Sequence, residues 1–95
     1  MTTIYVSIGN SDDKLTQKEW NHYCSDVWEA LNAYLVKFHG EWFSLPNSIY
    51  QNACWCFEIV HNNEGDIRED LRILAGRYQQ DSIAWAVADT MLIGP

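Results

Sequence analysis

The sequence predicts an α+β domain of the ferredoxin-like βαββαβ type: a four-stranded antiparallel sheet with two helices on one face. Three observations carry that expectation. Several segments alternate apolar residues with small or polar ones, the period of a half-buried strand. Two segments repeat apolar residues at three- and four-residue steps, the period of an amphipathic helix. Each helical segment separates its flanking strands by a connection long enough for a crossover.

The elements follow in order. In "TIYVSIG", Ile4, Val6 and Ile8 share one face and Tyr5 and Ser7 the other, so this is a strand. Gly9 and Asn10 then supply turn residues. "TQKE" has the form of a capping box, with Thr16 accepting from a first-turn amide and Glu19 reaching back. Trp20, Cys24, Val27, Leu31, Leu35 and Phe38 form the apolar stripe of a long helix. His39 and Gly40 close it, because glycine suits a left-handed cap and histidine the negative end of the helix dipole. "EWFSL" is a short strand, "PNSIYQN" a loop and "ACWCFEIV" a second apolar strand. "HNNEGD" turns into a helix over "DIREDLRILAGRYQQ", with Ile67, Leu71, Leu74 and Tyr78 on one side. "SIAWAVA" is the last strand, and the apolar tail "DTMLIGP" can extend it. The first and third strands belong at the centre of the sheet. The core draws on Ile4, Val6, Ile8, Trp55, Phe57, Ile59, Ile83, Trp85 and Val87.

Length and charge restrict the function. Ninety-five residues make one domain. Thirteen carboxylates stand against six lysines and arginines, for a net charge of −7. That balance works against direct binding to nucleic acid or an anionic membrane and favours a basic partner. The first ten residues lack the basic and apolar regions of a signal peptide, and no stretch approaches the length of a membrane span. The expectation is a cytoplasmic protein with reduced cysteines.

The stretch "NACWCFEIV" is the one that invites a metal or redox reading. In a strand, Trp55, Phe57 and Ile59 point one way and Cys54, Cys56 and Glu58 the other. Residues two apart on an extended strand have Cα atoms roughly 6.5 to 7 Å apart, at the limit for a disulfide. His22, His39 and His61 show no ligand spacing to complete a metal site, and C-x-C is not the paired C-x-x-C of a zinc ribbon. No metal and no cofactor are expected.

The face that carries these thiols is informative in itself. It holds Tyr5, Ser7, Cys54, Cys56, Glu58, Ala84, Ala86 and Ala88, where a solvated face would show charged and hydroxyl side chains. Such a face suits another layer: a second copy, a partner protein or a planar ligand. The tail or the "LPNSIYQN" loop of the same chain is the alternative cover.

The remaining candidates are polar. "GNSDDK" lacks the spacing of a phosphate loop and the final glutamate of a calcium loop. No carboxylate pair is placed for acid–base work and no serine or cysteine has an evident base, so no enzyme is expected. Glu64, Asp66, Glu69 and Asp70 gather at the second helix, interleaved with Arg68 and Arg72. They serve the helix dipole, or they form an acidic patch aimed at a basic groove. Trp42 and Tyr50 are the aromatic anchors available to such an interface.

Across "IYVSIGNSDDKLTQKEW" and "QNACWCFEIV…QDSIAWA" the chain resembles small uncharacterised proteins of bacteriophages and their actinobacterial hosts. That resemblance transfers no catalytic residue. It implies a phage or prophage accessory protein, a class that includes inhibitors of host defence or host machinery. The expected function is therefore a non-enzymatic acidic binding protein. It would act on a host protein, basic or nucleic-acid-binding, through Glu64, Asp66, Glu69, Asp70, Trp42 and Tyr50. The alternative is a small-ligand-binding homodimer that uses the outer sheet face or the Asn10–Lys14 loop.

Overall fold

The computed structural model describes residues 1–89 and 91–95. β1 (Thr2–Gly9) leads through a short 3-10 turn to α1 (Gln17–Asn32). β2 (Lys37–Phe43) and β3 (Asn52–Ile59) follow, then α2 (Glu64–Arg77) and β4 (Ala84–Ala88). The strands form one sheet in the order β2-β3-β1-β4, every neighbour antiparallel. This is the ferredoxin-like arrangement, with the first and third strands at its centre as the sequence predicts.

The alternation of β1 and β3 becomes the core directly. Register sets Ile4 opposite Phe57, Val6 opposite Trp55 and Ile8 opposite Ala53. All six are buried under the helices, which contribute Trp20, Tyr23, Val27 and Leu31 from α1 and Ile67, Leu71 and Leu74 from α2. Fully burying side chains of this size stabilises the fold by about 1.5–3 kcal/mol each before chain entropy is counted. The capping box of α1 is present as read: the Thr16 hydroxyl accepts from the Glu19 amide at 3.2 Å, and Glu19 accepts from the Thr16 amide at 2.9 Å. That bond holds the Glu19 carboxyl below its ordinary pKa.

Three expectations are corrected. The first helix does not run to His39. It ends at Asn32, and by Val36 the chain already donates to the Glu58 carbonyl at 2.8 Å. Leu35 and Phe38 keep the helical spacing, but a helix through them would leave the edge of β3 unpaired; tertiary pairing outweighs local periodicity. His39 and Gly40 lie inside β2, at a register shift between Phe38 and Gly40. Val87 is not core: it is 59% exposed, on an edge strand with a neighbour on one side only. β4 ends at Ala88, and among the described residues of the tail none extends it; Thr90 lies outside the described residues.

One end of the molecule is tied by buried amides. Asn10, Gln51 and Gln80 are the buried polar residues. The Asn10 amide donates to the Gln51 carbonyl at 2.9 Å. The Asn10 side chain accepts from the Leu15 amide and donates to the Leu15 carbonyl, both at 3.0 Å. Ser11 donates to Gln80 Oε1 at 2.7 Å. Three chain crossings are thus joined by satisfied, water-excluded hydrogen bonds, which would be costly to leave unmade.

Two outcomes follow for stability. Thr16→Ala should cost about 1 kcal/mol in denaturant unfolding, the usual worth of an N-cap. Alkaline pH should destabilise the fold. Burial raises Cys24 from 9.0 to about 12, and burial followed by the Asp26 hydrogen bond raises Tyr78 from 10.0 to about 12. Both groups are harder to ionise when folded, so their contribution is complete below the unfolded values and is lost as pH rises toward 12. A falling unfolding midpoint between pH 9 and 12, relieved in part by Tyr78→Phe, would confirm this assignment.

Candidate functional site

The helices cover one face of the sheet and leave the other bare. Register builds that outer face in three rows. Trp42, Cys54, Ser7 and Ala84 lie side by side across the four strands. The next row is Gly40, Cys56, Tyr5 and Ala86, and the third is Lys37, Glu58, Thr3 and Ala88. All eight residues expected on this face are here: Tyr5, Ser7, Cys54, Cys56, Glu58, Ala84, Ala86 and Ala88. The cysteines are unpaired thiols. The Cys56 side chain beside Tyr5, by hydrogen bonding first and charge second, raises the tyrosine above its ordinary pKa.

β2 contributes what the sequence expectation left out. The bulge between Phe38 and Gly40 turns His39 onto the outer face, where Nε2 lies 2.9 Å from Glu58 Oε2. A residue read as a helix cap therefore sits beside the one acid of the β3 row. Trp42 stands at the head of the first row and is 58% exposed. Trp42 and the strand "EWFSL" are legible in the sequence, whereas the outward place of His39 depends on the bulge.

The exposed apolar surface continues around this edge. Val36, Phe38, Trp42, Phe43, Leu45, Ile49 and Tyr50 are all exposed. On the helix side of β2, Cys24, Trp28, Phe38, Glu41, Phe43 and Trp55 line a recess of about 290 Å³. Trp28 packs against Phe38 with ring centroids 4.9 Å apart, and Phe43 meets the edge of Trp55 at 5.7 Å. Glu41 Oε2 accepts from Trp55 Nε1 at 3.2 Å. Among the described residues no cation pairs with Glu41. The recess is thus aromatic and anionic, a lining that favours a cationic side chain.

The expected partner-binding set does not come together as one patch. Glu64, Asp66, Glu69 and Asp70 lie on α2 at the helix-covered side, while Trp42 projects from the opposite face. Three of the acids are engaged within the chain. Glu69 pairs with Arg72 at 2.5 Å, Glu64 lies 3.4 Å from His61, and Asp70 accepts from the Tyr34 hydroxyl at 3.3 Å. The Asp70 charge raises the Tyr34 pKa. Asp66 is exposed. Tyr50 is 65% exposed in the β2–β3 loop and sits at φ 59°, in the left-handed region. It is therefore continuous in sequence with the β2 strip and not with the acids.

The Asn10–Lys14 loop, the other ligand-site expectation, turns Asn10 inward, while Asp12, Asp13 and Lys14 are exposed. Beyond the Asn10 and Ser11 bonds above, Lys14 Nζ donates to the Gln79 carbonyl at 2.8 Å. These groups clamp β1 to the end of α2. Neither cover for the open face is formed. Met91, Leu92 and Ile93 of the tail are 82–92% exposed, and the loop side chains Leu45, Ile49 and Tyr50 are exposed as well. No helix among the described residues is long and apolar enough to cross a membrane.

No protein-family model and no curated protein matches this chain. Among solved structures it is similar to a DUF3240 family protein from Shewanella baltica OS155. The match covers 99% of this chain and 94% of that one, with a TM-score of 0.54 and 12% sequence identity. At that identity the likeness shows the fold alone: an α+β sandwich of ferredoxin-like arrangement.

Proposed function

We propose that the chain is a binding protein without catalysis of its own, which occupies the surface of a basic protein through the β2 edge and the loop that follows it. One observation carries the reading. Seven large apolar side chains between Val36 and Tyr50 are exposed on a chain that otherwise has a well-filled core. Tryptophan and tyrosine in such a strip are the residue types that dominate interface energetics. The adjoining recess offers the Glu41 carboxylate, which accepts from Trp55 Nε1 and has no cation partner among the described residues, and it fits a lysine or arginine of the partner. The net charge of −7 steers the chain toward a basic surface and away from nucleic acid. Its resemblance to phage accessory proteins favours a host protein as the target, nucleic-acid-binding and engaged so as to inhibit it.

In this reading the acids of α2 act at long range. Asp66 and Glu69 add to the field that speeds encounter, and Trp42 and Tyr50 make the contact.

Affinity capture from a bacterial host lysate, followed by titration of the purified partner, tests the assignment. Trp42→Ala should weaken binding by about 2 kcal/mol, roughly thirtyfold. Asp66→Lys with Glu69→Lys should slow association and flatten its salt dependence while dissociation stays nearly constant. A basic partner held equally well by the Trp42→Ala and Tyr50→Ala chains would remove the β2 strip from the interface. A co-purifying small molecule with no protein would instead favour the ligand-binding alternative.

A further inference from the structure

The two edges of the sheet are built differently. The β2 edge carries a bulge and the polar residues Lys37, His39 and Glu41, devices that prevent a further strand from pairing. The β4 edge has none of these. Its sequence, Ala84-Trp85-Ala86-Val87-Ala88, contains no charge and no proline, and it pairs with β1 alone. An uncharged, unbulged edge strand is a template for another strand.

We propose that this edge pairs antiparallel with β4 of a second copy, about a two-fold axis at Ala86. The strand is close to symmetric under reversal, and that symmetry is the reason to choose a second copy over any other strand. Centred on Ala86, the pairing sets Trp85 of each copy opposite Val87 of the other, on the helix side of the sheet. Aromatic and β-branched residues directly opposite are a favourable cross-strand pair. It covers Val87, which is 59% exposed in the single chain. On the outer side only alanines meet, Ala84 with Ala88 and Ala86 with itself, so nothing obstructs the approach.

The pairing leaves a groove of about 410 Å³ between α2 and β4 beside the seam, with Leu71, Ala75, Ile83 and Trp85 as its apolar lining. Arg68, Arg72 and Asp81 also line it; Arg68 lies over the Trp85 ring at 5.9 Å, and Arg72 is paired with Glu69. None of this rests on the proposed binding function, because the β2 edge stays free.

Sedimentation of the full chain over a concentration series tests the pairing. The expected mass is twice the 11.0 kDa of one chain. Val87→Lys changes a side chain that is exposed in the monomer, so it should fold normally and weaken self-association by about tenfold or more. Trp42→Ala should leave the mass unchanged. Ala86→Cys should form a symmetric cross-link under mild oxidation, since directly opposed residues have Cβ atoms about 4.5–5.5 Å apart. The unsubstituted chain with its own three cysteines serves as the baseline. A monomer at every concentration would overturn the proposal. So would a dimer that survives Val87→Lys but is lost with Trp42→Ala, which would move the interface to the β2 side.

Discussion

The pairing of β1 with β3 is the constraint from which the rest of the molecule follows. It runs from Thr2 opposite Ile59 to Gly9 opposite Asn52 without a register shift. Because side chains alternate strictly along a strand, that single alignment puts Ile4, Val6, Ile8, Trp55, Phe57 and Ile59 on one side. It puts Tyr5, Ser7, Cys54 and Cys56 on the other. A slip by one residue would exchange the two sets and place thiols and a carboxylate under the helices. The helices can therefore pack on one face only, and the opposite face is left bare by the same alignment that fills the core.

The buried amides then hold the end of that ladder in place. Asn10 reaches Gln51, and Gln80 reaches Ser11, so the exit of β1, the entry to β3 and the end of α2 are fixed to one another. This is why the Asn10–Lys14 turn, which has the composition of a binding loop, behaves as a structural joint. Asn10, Ser11 and Lys14 bond to the chain itself, and Asp12 and Asp13 stay exposed.

How much of this was legible depended on how local the cause was. The strands at Ile4–Ile8 and Trp55–Ile59 and the Thr16 capping box are decided by neighbours in sequence, and each was readable from spacing alone. The end of α1 was not. Leu35 and Phe38 continue the helical period, and only the unpaired edge of β3, distant in sequence, draws them into a strand. That one misplacement hid the places of His39 and Glu41, which take their faces from a bulge that no residue pattern announces, whereas Trp42 and Tyr50 were named as anchors from the sequence. The acids of α2 show the reverse case. They are adjacent in sequence, yet three of them are engaged within the chain by Arg72, His61 and Tyr34.

The bulge in β2 has a consequence beyond the side chains it redirects. A sheet with two plain edges can add copies at both, and such growth has no natural end; the product is a fibre. Here one border is irregular and polar, so any strand addition is confined to the other. A two-fold contact at that border is self-complementary and leaves no unsatisfied template behind it. In the proposed β4 pairing, the irregularity at Phe38–Gly40 would act as a terminator, limiting a chain with a bare face and a bare strand to a closed, countable assembly.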